Sequence, residues 1–284
     1  MVASHHGGIA LVGALLVGAF AVPARAEPQP WPWLTTPHAG DVLEDRFAAP
    51  EGFTRVAVAP NSFGAFLRRL PLLPPGAPVR AFDGRVLGTP HAAVVDLDVG
   101  AGDLQQCADS ALRLQAEFRW AQGTQQQLGF HATSGDLLPF ARYAAGERIA
   151  VRGNKVSWRP AAGGAGQGAK DRDTWRRYLD DVFMYAGSIS LAKDTVAVAG
   201  DVQPGDLFIV GGSPGHVLVV LDVAVRDQER RLLIGEGFMP AQSFHVVPAP
   251  SGEPWVTPAP GGAVQVPTWS APFPRSALRR FPGP

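Results

Sequence analysis

The chain of 284 residues contains one cysteine, Cys107. No disulfide can close within it, and its scattered histidines do not supply the ligand cluster that a structural metal needs. No metal or other cofactor is implied. Charged residues make up only 18% of the sequence, with 25 basic against 25 acidic side chains and no basic cluster, so a polyanionic partner such as nucleic acid is not indicated. Internal repeats are absent. No run of apolar residues reaches the length of a bilayer span: Ile9 to Val22 has 14 residues.

That run leads into Ala24-Arg25-Ala26, the small-x-small pattern of signal cleavage, so residues 1–26 are expected to be an export signal and the mature protein to be periplasmic or secreted. Removing Arg25 leaves 24 basic against 25 acidic residues. The n-region holds His5 and His6 but no Lys or Arg before Arg25, and no cysteine marks the cleavage point for lipid attachment. With 46% hydrophobic residues, the remainder suffices for one sizeable core.

Residues 27–45, rich in proline and tryptophan at their start, read as an extended arm. Thr54 to Ala59 is expected as a strand, and Ser62 as the cap of a short helix ended by Pro71. Val79 to Phe82 and Ala92 to Val99 read as strands, with Asp83-Gly84 as a turn. A helix is expected from Leu104, capped by Asp103 with Gln106 three residues later, and it buries Leu104, Cys107, Ala111, Leu114 and Phe118 on one face. Asp109, Arg113 and Glu117 form a charged ladder at i, i+4 spacing along it. A second helix runs from about Arg172 to Leu191, preceded by a glycine-rich surface loop, Pro160 to Lys170.

Gly205 to Val225 and Arg231 to Phe238 read as strands, the first broken by a turn at Gly211 to Gly215. From Pro248 onward ten of 37 residues are proline. This tail, 248–284, is expected to drape over the domain 46–247 without entering a sheet. The class is α+β.

A cysteine at a helix N-terminus lies at the positive end of the helix dipole, which lowers thiol pKa. Thiolate chemistry then needs a base and a group that orients it. His216, at the mouth of an apolar strand directly after a glycine-rich turn, is the best-placed base. Asp222 lies on the same alternation but roughly 20 Å away along the strand, too far to orient the imidazole. A strand folding back around Asp227 and Gln228 brings Glu236 to Gln242 opposite His216, so Glu236 or Gln242 is the third member. The Cys107 backbone N–H and a side-chain amide of Gln105 or Gln106 are candidates for receiving an oxyanion. Asp96 and Asp98 offer a second carboxylate constellation, and a carboxylate hydrolase using Asp96, Asp98 or Glu236 is a rival reading.

Leu104 to Asp109, Tyr185-Ala186-Gly187, Gly205-Asp206 with Gly211 to His216, and Phe238 to Gln242 together are similar to an exported bacterial family known as domain of unknown function 4846. More distantly, the order of helix-borne cysteine, Gly-Asp and strand-borne Gly-His resembles the NlpC/P60 cysteine peptidases, which are papain-like and cut cell-wall peptides. Here Gln106-Cys107-Ala108-Asp109 replaces the usual Asp-Cys-Ser-Gly, and the cysteine-to-histidine separation is about twice that superfamily's. The resemblance implies an antiparallel sheet packed against the cysteine-bearing helix, Cys107 as nucleophile, His216 as base and a polar residue on the following strand as orienter. The expected function is an exported cysteine amidase or peptidase. The alternative is a non-catalytic envelope-binding domain of the same fold.

Overall fold

A computed structural model describes residues 1–3, 31–162 and 168–283. The export signal expected over 1–26, all but its first three residues, lies outside the described residues, as does the centre of the glycine-rich loop. Among the described residues no helix is long and apolar enough to cross a membrane.

The chain runs α1 (Leu43–Arg46), β1 (Thr54–Arg55), α2 (Phe63–Arg68), β2 (Ala93–Val94), α3 (Cys107–Ala121), β3 (Gly129–His131), β4 (Leu137–Pro139), α4 (Phe140–Ala144), β5 (Glu147–Arg152) and β6 (Lys155–Pro160). It continues through α5 (Arg172–Tyr185), α6 (Ser188–Lys193), β7 (Val196–Ala197), β8 (Asp206–Val210), β9 (His216–Arg226), β10 (Glu229–Glu236), β11 (His245–Val247) and β12 (Leu278–Arg280). The main sheet is antiparallel in the order β2-β11-β10-β9-β8-β12-β7, with β1 also pairing the far end of β9. Two separate hairpins, β3-β4 and β5-β6, stand off it. The architecture is mixed, with helices segregated to one face of an antiparallel sheet, and so falls in the α+β class.

Strand β9 explains this layering, because it is apolar on both faces. Val217, Val219 and Leu221 join the core shared with α2, α3 and α5, whereas Leu218, Val220 and Val223 join a second core closed by Val256, Val264, Val266 and Phe273. A strand covered on both sides loses the polar alternation of a half-exposed one. The proline-rich tail packs over this second face of the sheet with a few apolar side chains turned inward, but contrary to expectation its end also enters the sheet. Its proline-free end, Leu278 to Arg280, inserts as β12 between β8 and β7, and Val256 bridges Leu232 on the way.

Other expectations shift for local reasons. Ser62 caps α2, its hydroxyl accepting from the Ala65 N–H at 3.2 Å. The strand expected at Val79 to Phe82 makes only isolated bridges, Arg80 to Val86 and Ala81 to Gln242, and that at Thr54 to Ala59 shortens to two residues, as does Ala92 to Val99. The long helix from Arg172 breaks at Ala186-Gly187 and resumes as α6, because Ala186 is extended. Two partners are out of step where β9 meets β10: Leu233 faces Asp222 but Ile234 faces Val220. The extra residue reorients Asp222 toward α2, where Arg68 reaches it at 2.7 Å and Arg55 at 2.6 Å. Asp222 therefore leaves the alternation it shared with His216 in the sequence and becomes a buried anchor for α2 and β1.

Removing one partner from a buried ion pair leaves uncompensated charge. Asp222→Asn is expected to lower stability by about 3–5 kcal/mol in urea unfolding. Disrupting the exposed Arg142–Glu147 pair by Arg142→Gln is expected to leave the urea midpoint nearly unchanged.

Candidate active site

The N-terminus of α3 is fixed from three directions. Asp103, the residue before Leu104, does not cap the helix: its carboxylate accepts from the Ala241 N–H at 2.6 Å and the Gln106 side chain at 3.1 Å, tying this segment to the loop after β10. The cap falls at Gln106, whose backbone N–H donates to Asp109 at 3.1 Å, so Cys107 is the first helical residue and its own N–H has no intrahelical acceptor. Gly237 allows the close approach of the helix to β10, since a Cβ there would collide with the Ser110 hydroxyl and come within 3.0 Å of the Gln106 carbonyl. From Cys107 to Phe118 every residue is buried, so α3 is an interior helix rather than one with a single apolar face.

Its charged residues survive burial by pairing. Arg113 donates to Glu117 at 2.8 Å, Asp98 at 2.8 Å and Gln105 at 3.0 Å, and Arg172 adds two bonds to Glu117 at 2.9 Å. Asp109 stands outside this network. Its second oxygen has no partner among the described residues, and burial pushes its pKa up to about 8.

The Ala108 and Val217 backbone N–H groups favour the charged form of the Cys107 thiol, which places the sulfur near the peptide joining His216 to Val217. Burial, followed by the charge of Asp109, nevertheless pushes the thiol up to about 11. The lowering expected from the helix N-terminus is outweighed, because the side chain is only 8% exposed and thiolate solvation is lost. Asp109 below about pH 8 is protonated, so its repulsion acts on the thiolate only in alkaline solution. Cys107 lines a cleft of about 350 Å³ together with Leu104, Gln106, Ser188, Pro214 and Met239. The break between α5 and α6 forms part of this wall. Ser188 there accepts from the Gly212 N–H at 3.3 Å, and Gly215 is required because a Cβ would run into the Ser188 hydroxyl.

His216 and Glu236 are both fully buried and joined at 2.7 Å, imidazole Nε2 to carboxylate Oε2. Burial opposes ionisation of Glu236, yet the hydrogen bond from His216 and the proximity of His245 more than offset it and hold the carboxyl below its ordinary range. With Nε2–H donating to the carboxylate, Nδ1 carries the lone pair and is free to accept a proton. Nδ1 has no hydrogen-bond partner among the described residues, the thiol included. Strand parity places the ring on the Leu218 side of β9, with Trp269 stacked on it at 4.9 Å and Phe238 edge-on at 4.9 Å, whereas α3 packs on the Val217 side. The thiol and the imidazole thus approach the end of β9 from its two faces.

Two of the sequence candidates are engaged elsewhere. Gln242 donates to Thr89 at 3.4 Å and does not touch His216. Gln105 is fully buried, one amide N–H donating to the Asp98 carbonyl and its oxygen accepting from Arg113, and it does not line the Cys107 cleft. Gln106 remains at the cleft. Asp98 is committed to Arg113 and Arg176, and Asp96 to His38 at 3.2 Å. Two contributors were not singled out in the sequence. His245 places Nε2 3.5 Å from the second Glu236 oxygen, and Trp269 comes from the tail. The alternation of β11 with the register of β10 was the one signal for His245; no local pattern marks Trp269.

A family model described as domain of unknown function (4846) matches residues 43–280. The chain belongs to this family. The match takes in the C-terminal segment through β12, the part that closes the second core. No curated protein and no solved structure matches the chain.

Asp109 gives the family member a pH-dependent stability with a definite sign. Unfolded, its carboxyl releases a proton near 3.8; folded, it keeps that proton to about 8. Between these values the folded state binds more protons, so this residue's contribution to stability falls as pH rises. Asp109→Asn should gain stability relative to the parent between about pH 5 and about pH 8, read from urea midpoints at both. An unchanged difference would mean that Asp109 is ionised in the folded protein throughout.

Proposed function

We propose that this chain is an exported cysteine hydrolase with a papain-like core of the NlpC/P60 kind, acting on amide bonds with cell-wall peptides as the substrate class. The observation that carries the reading is the buried His216–Glu236 pair, with its unpartnered Nδ1, at the strand end where the Cys107 sulfur meets the Val217 N–H beside a cleft. A buried polar atom left without a partner costs roughly 1–3 kcal/mol and calls for a reason. Receipt of the thiol proton supplies one.

This mechanism requires the His216 ring, which lies on the other face of β9 at rest, to turn at the strand end so that Nδ1 reaches the thiol; Nδ1 then takes the Cys107 proton as the sulfur attacks the substrate carbonyl carbon. Glu236 stabilises the imidazolium that forms. The oxyanion is received by the Cys107 N–H and the Gln106 side chain, and His216 returns the proton to the leaving amine, leaving a thioester. Water, deprotonated by the same imidazole, then releases the acid and restores the thiol. A thiol at about 11 stays protonated at rest, so attack is coupled to proton transfer rather than to a standing thiolate.

One observation favours a second reading, a non-catalytic envelope-binding domain of the same fold: the thiol is nearly buried and no hydrogen bond joins it to the imidazole. Iodoacetamide separates the two. A thiol at about 11 acting alone is ionised to roughly one part in ten thousand at neutral pH. The hydrolase reading expects alkylation of the native protein well above the rate such a thiol allows, and a drop of about ten-fold or more in His216→Ala and Glu236→Gln. Slow alkylation that is indifferent to both substitutions would leave the binding domain. Retained amidase activity in Cys107→Ala would instead point to the carboxylates.

A further inference from the structure

The far end of α3 borders a second cleft, of about 660 Å³, between α2, the segment before it and the C-terminus. Its floor is aromatic. Phe63 packs against Phe118 at 5.4 Å and Phe281 at 6.1 Å. Val58, Pro204 and Pro282 continue the apolar surface. A volume of this size, mostly apolar with a few convergent polar groups, is what small-molecule sites present.

Two of its polar lining residues, Gln115 and Arg119, lie one helical turn apart on α3. Gln115 is only 7% exposed, and its side-chain oxygen has no partner among the described residues. The Arg119 Nε is likewise buried without an acceptor. The guanidinium makes one long bond, 3.4 Å to Gln127, and no ion pair among the described residues. Among the described residues no acidic side chain lines the cleft, and its other cation, Arg280, is already held by Asp206 at 2.5 and 2.9 Å. A neighbouring cleft of about 390 Å³ shares Gln115 and Arg119, but the acid in it, Asp194, is engaged by His131. Among the described residues the cavity wall therefore carries one guanidinium without an ion pair and one amide oxygen without a partner above an aromatic floor.

We infer that this cleft is a binding site for an apolar carboxylate, its acyl or aryl body lying on Phe63, Phe118 and Phe281 and its carboxylate received by Arg119 and the Gln115 amide. A guanidinium edge with an adjacent amide N–H matches the two oxygens of one carboxylate. The amide can turn its NH₂ toward the anion, since its oxygen accepts no bond in the present orientation. The site is separate from the Cys107 cleft and shares no lining residue with it.

The test uses dodecanoate and its uncharged counterpart dodecanol, titrated into the full chain by calorimetry. The expected result is that dodecanoate binds about ten-fold or more tightly than dodecanol, the worth of one charge-assisted hydrogen bond. Arg119→Met should bring the two to parity, while Arg119→Lys, which keeps the charge, should retain part of the preference. Iodoacetamide reactivity of Cys107 should stay at the parent level in both variants, showing that the fold is intact. Absence of binding, equal affinity of the two ligands in the parent protein, or a preference that survives in Arg119→Met overturns the assignment.

Discussion

The structure turns on an interior helix that carries charge. Arg113 is all but inaccessible, and its guanidinium is divided among Glu117, Asp98 and Gln105 while Arg172 covers the rest of Glu117. Satisfied in this way, the charges are tolerated in the core; losing one partner would leave a buried charge uncompensated. The network also sets direction. Asp98 and Gln105 lie on the segment leading into α3 and Arg172 opens α5, so a single group of ion pairs fixes how the cysteine end of α3 meets the sheet.

From that placement follow both sites. At its N-terminus α3 meets β9 and β10 where Gly215 and Gly237 lack side chains, and the sulfur comes to rest against backbone. On the opposite face of the same strands, His216, Glu236 and His245 form a buried polar row roofed by Trp269. Farther along, α3 presents Gln115, Phe118 and Arg119 to the aromatic cleft. A rigid helix with well-paired charges in its middle can leave polar groups unpaired toward its ends, and those unpaired groups are the chemically informative ones.

Much of the local structure was legible in residue order because it depends on local physics. The Ser62 cap, the turn at Gly211 to Gly215 and the reversal at Asp227-Gln228 follow from short-range preferences. The reversal brings the end of β10 back toward His216, but Glu236 reaches the His216 face only because of the bulge between Leu233 and Ile234. Failures came where distant segments decide. The two-faced burial of β9 depends on a tail some 50 residues later, and the bulge that sends Asp222 to Arg55 and Arg68 is invisible to alternation. Gln242 looked equivalent to Glu236 until the loop after β10 carried it toward Thr89.

By itself the sequence determined a mixed α and β chain in one core-forming stretch, with a lone thiol at a helix start and a histidine at a strand start, since these follow from composition and periodicity. Tertiary structure alone decided that the thiol is nearly buried, that its pKa rises rather than falls, and that the imidazole reaches the same strand end from the other face. Solvation and strand parity set those properties, and both depend on what packs above and below the sheet, which residue order does not encode locally.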